Sequence, residues 1–106
     1  MSEIEILPVG GYNEFGRNMT VVRVGREAVI IDMGLKLDRV LIHEDAVFES
    51  LSPNDLWDLG AIPDDRVLQD LPAKVIAIVL SHGHLDHIGA VRKLAGKYDC
   101  PVIGTP

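Results

Sequence analysis

Apolar positions in this chain fall into short runs separated by polar, glycine-marked breaks. Glu3 to Val9 predicts a first strand that ends at Gly10-Gly11. Met19 to Val24 is β-branched and apolar and predicts a second strand. Gly25-Arg26-Glu27 can reverse the chain, and Ala28 to Met33 then closes a hairpin as the third. Residues 35–50 carry no clear period. Ser52-Pro53-Asn54-Asp55 combines an N-cap, a proline at the first helical position and an acidic first turn; a short helix follows through Leu59 and stops at Gly60. Asp64-Asp65 caps a further helical turn that ends before Pro72. Val75 to Leu80 is a continuous apolar run, the pattern of a strand buried on both faces. Asp86 to Tyr98 then reads as one amphipathic helix, with Ile88, Val91, Ala95 and Tyr98 on its apolar face. Pro101 to Thr105 begins another strand.

Composition narrows the class. A hydrophobic fraction of 47% over 106 residues suits one small globular α/β (α+β) unit without repeats or low-complexity tracts. No apolar run is long enough to cross a membrane, and the acidic, alternating start Met1-Ser2-Glu3-Ile4-Glu5 lacks the basic and apolar regions of a secretory signal. A cytoplasmic location is the expectation. The single cysteine, Cys100, excludes an internal disulfide and reads as a small apolar residue. A net charge of −6 argues against non-specific nucleic-acid binding by this segment alone, because phosphate binding is driven by Lys and Arg.

The chemistry concentrates in Ser81-His82-Gly83-His84-Leu85-Asp86-His87, directly after the apolar run. In an extended loop His82 and His84 project to the same side and can meet at one metal ion. Asp86 and His87 follow as the chain turns into the helix and face a neighbouring position suited to a second ion. Gly83 is expected to leave room for a tight backbone path. Mixed imidazole and carboxylate donors favour zinc, with manganese as the alternative. Two ions about 4 Å apart can activate a shared water and neutralise charge on a carbonyl or phosphoryl oxygen, so the reaction class is metal-assisted hydrolysis. The plain alternative is a polar helix start capped by Asp86, but four potential ligands at this spacing favour metal.

These residues resemble the His-x-His-x-Asp-His signature of the metallo-β-lactamase superfamily. Ile30-Ile31-Asp32-Met33-Gly34 resembles the strand-plus-aspartate element that precedes the signature there. Gly10-Gly11-Tyr12-Asn13-Glu14-Phe15-Gly16-Arg17-Asn18-Met19 resembles the glycine block of the β-CASP nucleases of ribonuclease J type. The run Leu37-Asp38-Arg39-Val40-Leu41-Ile42-His43-Glu44-Asp45, with Ile62-Pro63-Asp64-Asp65, is similar to their archaeal branch. The resemblance implies a metal-dependent ribonuclease acting on RNA as a 5′-to-3′ exonuclease and in some cases an endonuclease. It implies two zinc ions, His82 and His84 on one and Asp86 and His87 on the other, with Asp86 and His87 in the catalytic centre. It gives Asp32 the task of orienting the ligand loop from behind, and Asn18 with nearby amides that of holding the loop. His43 matches no family ligand and reads as a surface residue.

The resemblance also implies what this chain leaves out. The expected fold is the N-terminal half of an αββα sandwich, a partial metallo-β-lactamase domain over residues 1–106. The β-CASP insertion and the C-terminal half, with a further histidine ligand, a bridging aspartate and a last histidine, are absent. Partial or weak metal occupancy, little hydrolysis by the isolated chain, and homo-oligomerisation or domain swapping are therefore expected. The competing readings are another hydrolase of the superfamily, acting on a thioester, lactone or lactam, and a non-catalytic truncated module that folds only as an assembly.

Overall fold

In the computed structural model, which describes residues 3–41 and 50–105, five strands form one sheet in sequence order. These are β1 (Ile4–Gly10), β2 (Met19–Val24), β3 (Glu27–Ile31), β4 (Lys74–Val79) and β5 (Val102–Ile103). Strands β1, β2 and β3 make an antiparallel meander, and β4 and β5 then add in parallel. The sheet is the mixed α/β frame expected of a metallo-β-lactamase portion. His43 lies outside the described residues, as does the run from Ile42 to Asp45.

Parallel neighbours require crossovers, and two right-handed crossovers taken in the same direction put both connections on one face of the sheet. The first carries α1 (Leu37–Leu41), α2 (Pro53–Leu59) and a 3-10 helix (Asp65–Asp70). The second carries α3 (Leu85–Ile88), α4 (Val91–Leu94) and a 3-10 turn (Ala95–Tyr98). Under them runs a buried row, with Val21 paired to Ile30 and Ile30 to Ile78. Met19, Met33, Leu56, Ile62, Ala90 and Leu94 complete this core. Helix α2 forms where its sequence predicts. Ser52 and Asp55 make a reciprocal capping box, and Gly60 ends the helix in the left-handed region at φ 71°. A buried Asp65 carboxylate, held by the Tyr98 hydroxyl and Lys97, ties the first crossover to the second. Burial and this carboxylate push the Tyr98 hydroxyl up from its ordinary range. Burial also raises the Cys100 thiol, in keeping with a passive role.

Two expectations need correction. Strand β4 is not buried on both faces: Ile78 is fully buried, but Ala77 and Val79 on either side of it are only partly buried, and Ile76, at a register shift, is 38% exposed. The second face of the sheet stays open among the described residues, because both crossovers lie on the first. Ile4 and Ile6 of β1 lie there, 70% and 64% exposed. The segment 86–98 is not one helix either. Its fully buried positions are Ala90 and Leu94, whereas Ile88, Val91, Ala95 and Tyr98 are only partly buried. The cause is competition for backbone groups. The Asp86 carbonyl accepts from Asn18 N–H, the His87 carbonyl accepts from Met33 N–H, and Ala90 N–H donates to the Met33 carbonyl. Two segments distant in sequence thus take up groups that a continuous helix would pair internally.

Candidate metal centre

The histidine loop leaves β4 at its C-terminal end, beside the C-terminal end of the parallel strand β3, where open parallel sheets commonly place their sites. Asp32 follows β3 directly. It is 5% exposed and holds φ 67°, a left-handed conformation that Asp adopts more readily than most residues. This turn aims its carboxylate at the start of the histidine loop. Oδ1 accepts from Ser81 N–H at 2.7 Å, and Oδ2 lies 2.8 Å from Ser81 Oγ and 2.6 Å from His87 Nδ1.

Counting donors fixes the imidazoles. An ionised carboxylate only accepts, so His87 carries its proton on Nδ1 and leaves Nε2 free as a donor of electrons. That Nε2 faces Asp86 Oδ2 at 3.5 Å. Ser81 donates its one hydroxyl hydrogen to Asp32, so in its 3.0 Å contact with His82 the Oγ accepts a hydrogen bond from Nδ1–H. His82 likewise keeps a free Nε2. The His82 ring centroid is 4.0 Å from that of His87 and 4.8 Å from that of His84. One donor atom from each of His82, His84 and Asp86 lies within 4.8 Å of the others. His82 and His84 are exposed, so their rings can close on an ion at the usual distance of about 2.0–2.2 Å. Carboxylate-oriented imidazoles with a free second nitrogen suit a divalent metal. Asp86 lies with His82 and His84 and also faces His87 Nε2, so the four donors gather at one place. Asp86 is not the N-cap of α3; His84 holds that position with extended backbone and no side-chain cap.

The loop is held from the opposite side by the glycine block. Asn18 Nδ2 donates to the Asp86 carbonyl at 2.7 Å, beside the backbone bond from Asn18 N–H, and Gly34 N–H donates to the Asn18 carbonyl. Residues 18, 34 and 86 thus meet backbone to backbone. A Cβ on Gly34 would stand 1.7 Å from the Asp86 carbonyl oxygen. The tight passage is therefore at Gly34. Gly83, where close packing was expected, faces open space. The block is itself braced by Glu14, which pairs with Arg17 through two hydrogen bonds and with Lys36 at 3.2 Å. The Arg17 hydrogen bond, joined by Lys36 against an opposing effect of burial, holds the Glu14 carboxyl below its ordinary value of 4.5. Ser81 and Gly34 carry essential contacts that their sequence context did not announce. The available signal for Ser81 was its place between a buried strand and the first histidine.

Two outcomes follow from these contacts. Gly34→Ala should lower thermal stability by about 1–3 kcal/mol through overpacking, while Gly83→Ala should stay within about 0.5 kcal/mol of the parent; equal effects in thermal unfolding would contradict this reading. A carboxyl with a lowered folded-state value stabilises the fold above its unfolded value and loses that contribution as pH falls through the folded one. Between pH 6 and strongly acidic pH, the parent should therefore lose more urea resistance than Glu14→Gln. Parallel pH profiles would show that the brace contributes nothing.

Residues 12–106 match the Metallo-beta-lactamase superfamily. Ribonuclease J of Methanocaldococcus jannaschii is 57% identical over 104 residues, covering 98% of this chain and 23% of that protein. Ribonuclease J of Pyrococcus abyssi is 61% identical over 104 residues, covering 97% of this chain and 23% of that protein. Ribonuclease J of Helicobacter pylori is 32% identical over 105 residues, covering 99% of this chain and 13% of that protein. The chain thus spans about a quarter or less of the length of the curated relatives it matches. On the family match, and with the Asp32-anchored histidine loop at the strand ends, the chain belongs to the metallo-β-lactamase superfamily.

Proposed function

We propose that this chain is the N-terminal portion of a metal-dependent ribonuclease of ribonuclease J type, acting on RNA in the cytoplasm. The observation that carries the reading is the convergence of His82, His84, Asp86 and His87 in front of Asp32, in a chain 57–61% identical to two archaeal ribonucleases J. His82 and His84 would hold one divalent ion, and Asp86 with His87 a second; zinc suits the donor set and manganese is the alternative. Bound there, the metal supplies Lewis-acid activation of water and of the phosphoryl group. The residues of this chain hold and orient. Asp32 fixes the proton on His87 Nδ1 and presents Nε2 forward. Ser81 relays the same constraint to His82, and Asn18 holds the Asp86 backbone. 5′-to-3′ exonuclease and endonuclease action both fall within this reading.

Each ion receives two ligands from this chain, where a catalytic zinc usually has three. The remaining ligands, and the β-CASP insertion, would come from the longer protein. Residues 1–106 alone should bind zinc weakly and self-associate through the open apolar face of the sheet; a monodisperse monomer in light scattering would count against that association. Competition from a thioester or lactone hydrolase is resolved by substrate. In the full-length protein, His84→Ala should lose bound zinc by elemental analysis and lower RNA hydrolysis by at least about 100-fold, at the upper end of the 10–100-fold effects seen for outer contacts. Retained RNA hydrolysis in that variant, or hydrolysis of a thioester but not RNA by the parent, would reject the proposal.

A further inference from the structure

Phe15 is 95% exposed, the most exposed large apolar side chain among the described residues. It does not sit on a loose loop. Glu14 on one side is pinned by Arg17 and Lys36 with a side chain only 14% exposed. Gly16 on the other side is buried at φ 100°, where a Cβ would stand 2.8 Å from Lys36 Cα. The backbone is therefore anchored on both sides of an aromatic ring that points into solvent.

That ring forms one wall of a groove of about 550 Å³ next to the candidate metal centre. Leu37 and Leu85, 42% and 52% exposed, continue the apolar lining, and His84 and Asp86 also line it. Among the described residues no Lys or Arg lines the groove; the charged ones that do are the acids Asp38 and Asp86. A phosphate chain would be repelled here, whereas a flat uncharged ring would bury apolar surface against Phe15. The groove shares His84 and Asp86 with the centre, so its occupant would lie beside the group being cleaved.

We infer that Phe15 is a stacking platform for a nucleobase adjacent to the scissile phosphate, with the phosphate held at the metal centre and the base laid in the Phe15–Leu85 groove. The inference rests on the ribonuclease reading and specifies how that substrate is seated. Aromatic stacking is tolerant of base identity, so the platform positions RNA without selecting a sequence. Phe15 is a binding residue and takes no part in bond cleavage.

The test compares Phe15→Ala and Phe15→Trp with the parent in the full-length protein, on a single-stranded RNA oligonucleotide and on an abasic ribose-phosphate oligomer of the same length. Stacking contributes equally before and in the transition state, so its loss should appear in KM. Phe15→Ala should raise KM on RNA about 5- to 100-fold with kcat within about twofold. On the abasic oligomer Phe15→Ala and the parent should match, Phe15→Trp should restore KM on RNA, and unfolding midpoints should agree. Normal KM in Phe15→Ala, while the parent cleaves RNA, overturns the platform and leaves the ribonuclease reading standing. An equal loss on both substrates, or a lowered unfolding midpoint that Trp does not rescue, assigns Phe15 to packing against another part of the protein and also overturns it. A parent that leaves RNA intact fails the ribonuclease reading, and the platform falls with it.

Discussion

The Asp32 carboxylate, turned back by a left-handed residue at the end of β3, accepts from the Ser81 backbone, the Ser81 hydroxyl and His87 Nδ1. Much of the site depends on these three bonds. They join the ends of two adjacent parallel strands, and they span 49 and 55 residues of sequence. Because a buried carboxylate must have its acceptor capacity filled, the first turn of the histidine loop has little freedom. Ring orientation follows from that constraint: the nitrogen facing Asp32 is occupied, and the opposite nitrogen faces the site.

A second constraint works against the first and improves it. A polar loop entering a helix would ordinarily continue as regular helix, which would space its side chains by helical geometry alone. Here the carbonyls of Asp86 and His87 bond to Asn18 and Met33 instead. The helix is broken after Ile88, and the loop is gripped between Asp32 on one side and the glycine block on the other. Gly34 is what permits this approach, since any side chain there would collide with the Asp86 carbonyl. Rigid support of this kind lets exposed imidazoles keep a common orientation, and it gives Phe15 a fixed place beside them.

Much of this was legible in the sequence, for reasons that differ by element. Strand β2 and helix α2 declare themselves through local chemistry, β-branched residues in one case and a cap, a proline and a terminal glycine in the other. The histidine loop is legible because a capped helix start needs one polar side chain, whereas this loop brings four metal-type donors close together. Asp32 could be placed through its neighbours' resemblance to a family pattern. The break after Ile88 could not be read, because apolar spacing carries no record of which carbonyls are claimed from a distance. Gly83 and Gly34 are interchangeable as letters; only the tertiary approach of Asp86 separates them. The exposure of β4 on one face reflects the direction of the crossovers, which the apolar run itself does not encode.

The most direct measurement is the tautomer of His87, read by long-range proton–nitrogen correlation NMR with and without added zinc. Donation to Asp32 requires the proton on Nδ1, with Nε2 unprotonated and shifting as zinc is added. A proton found on Nε2, or a zinc response at Nδ1, would contradict the orientation of the centre by Asp32.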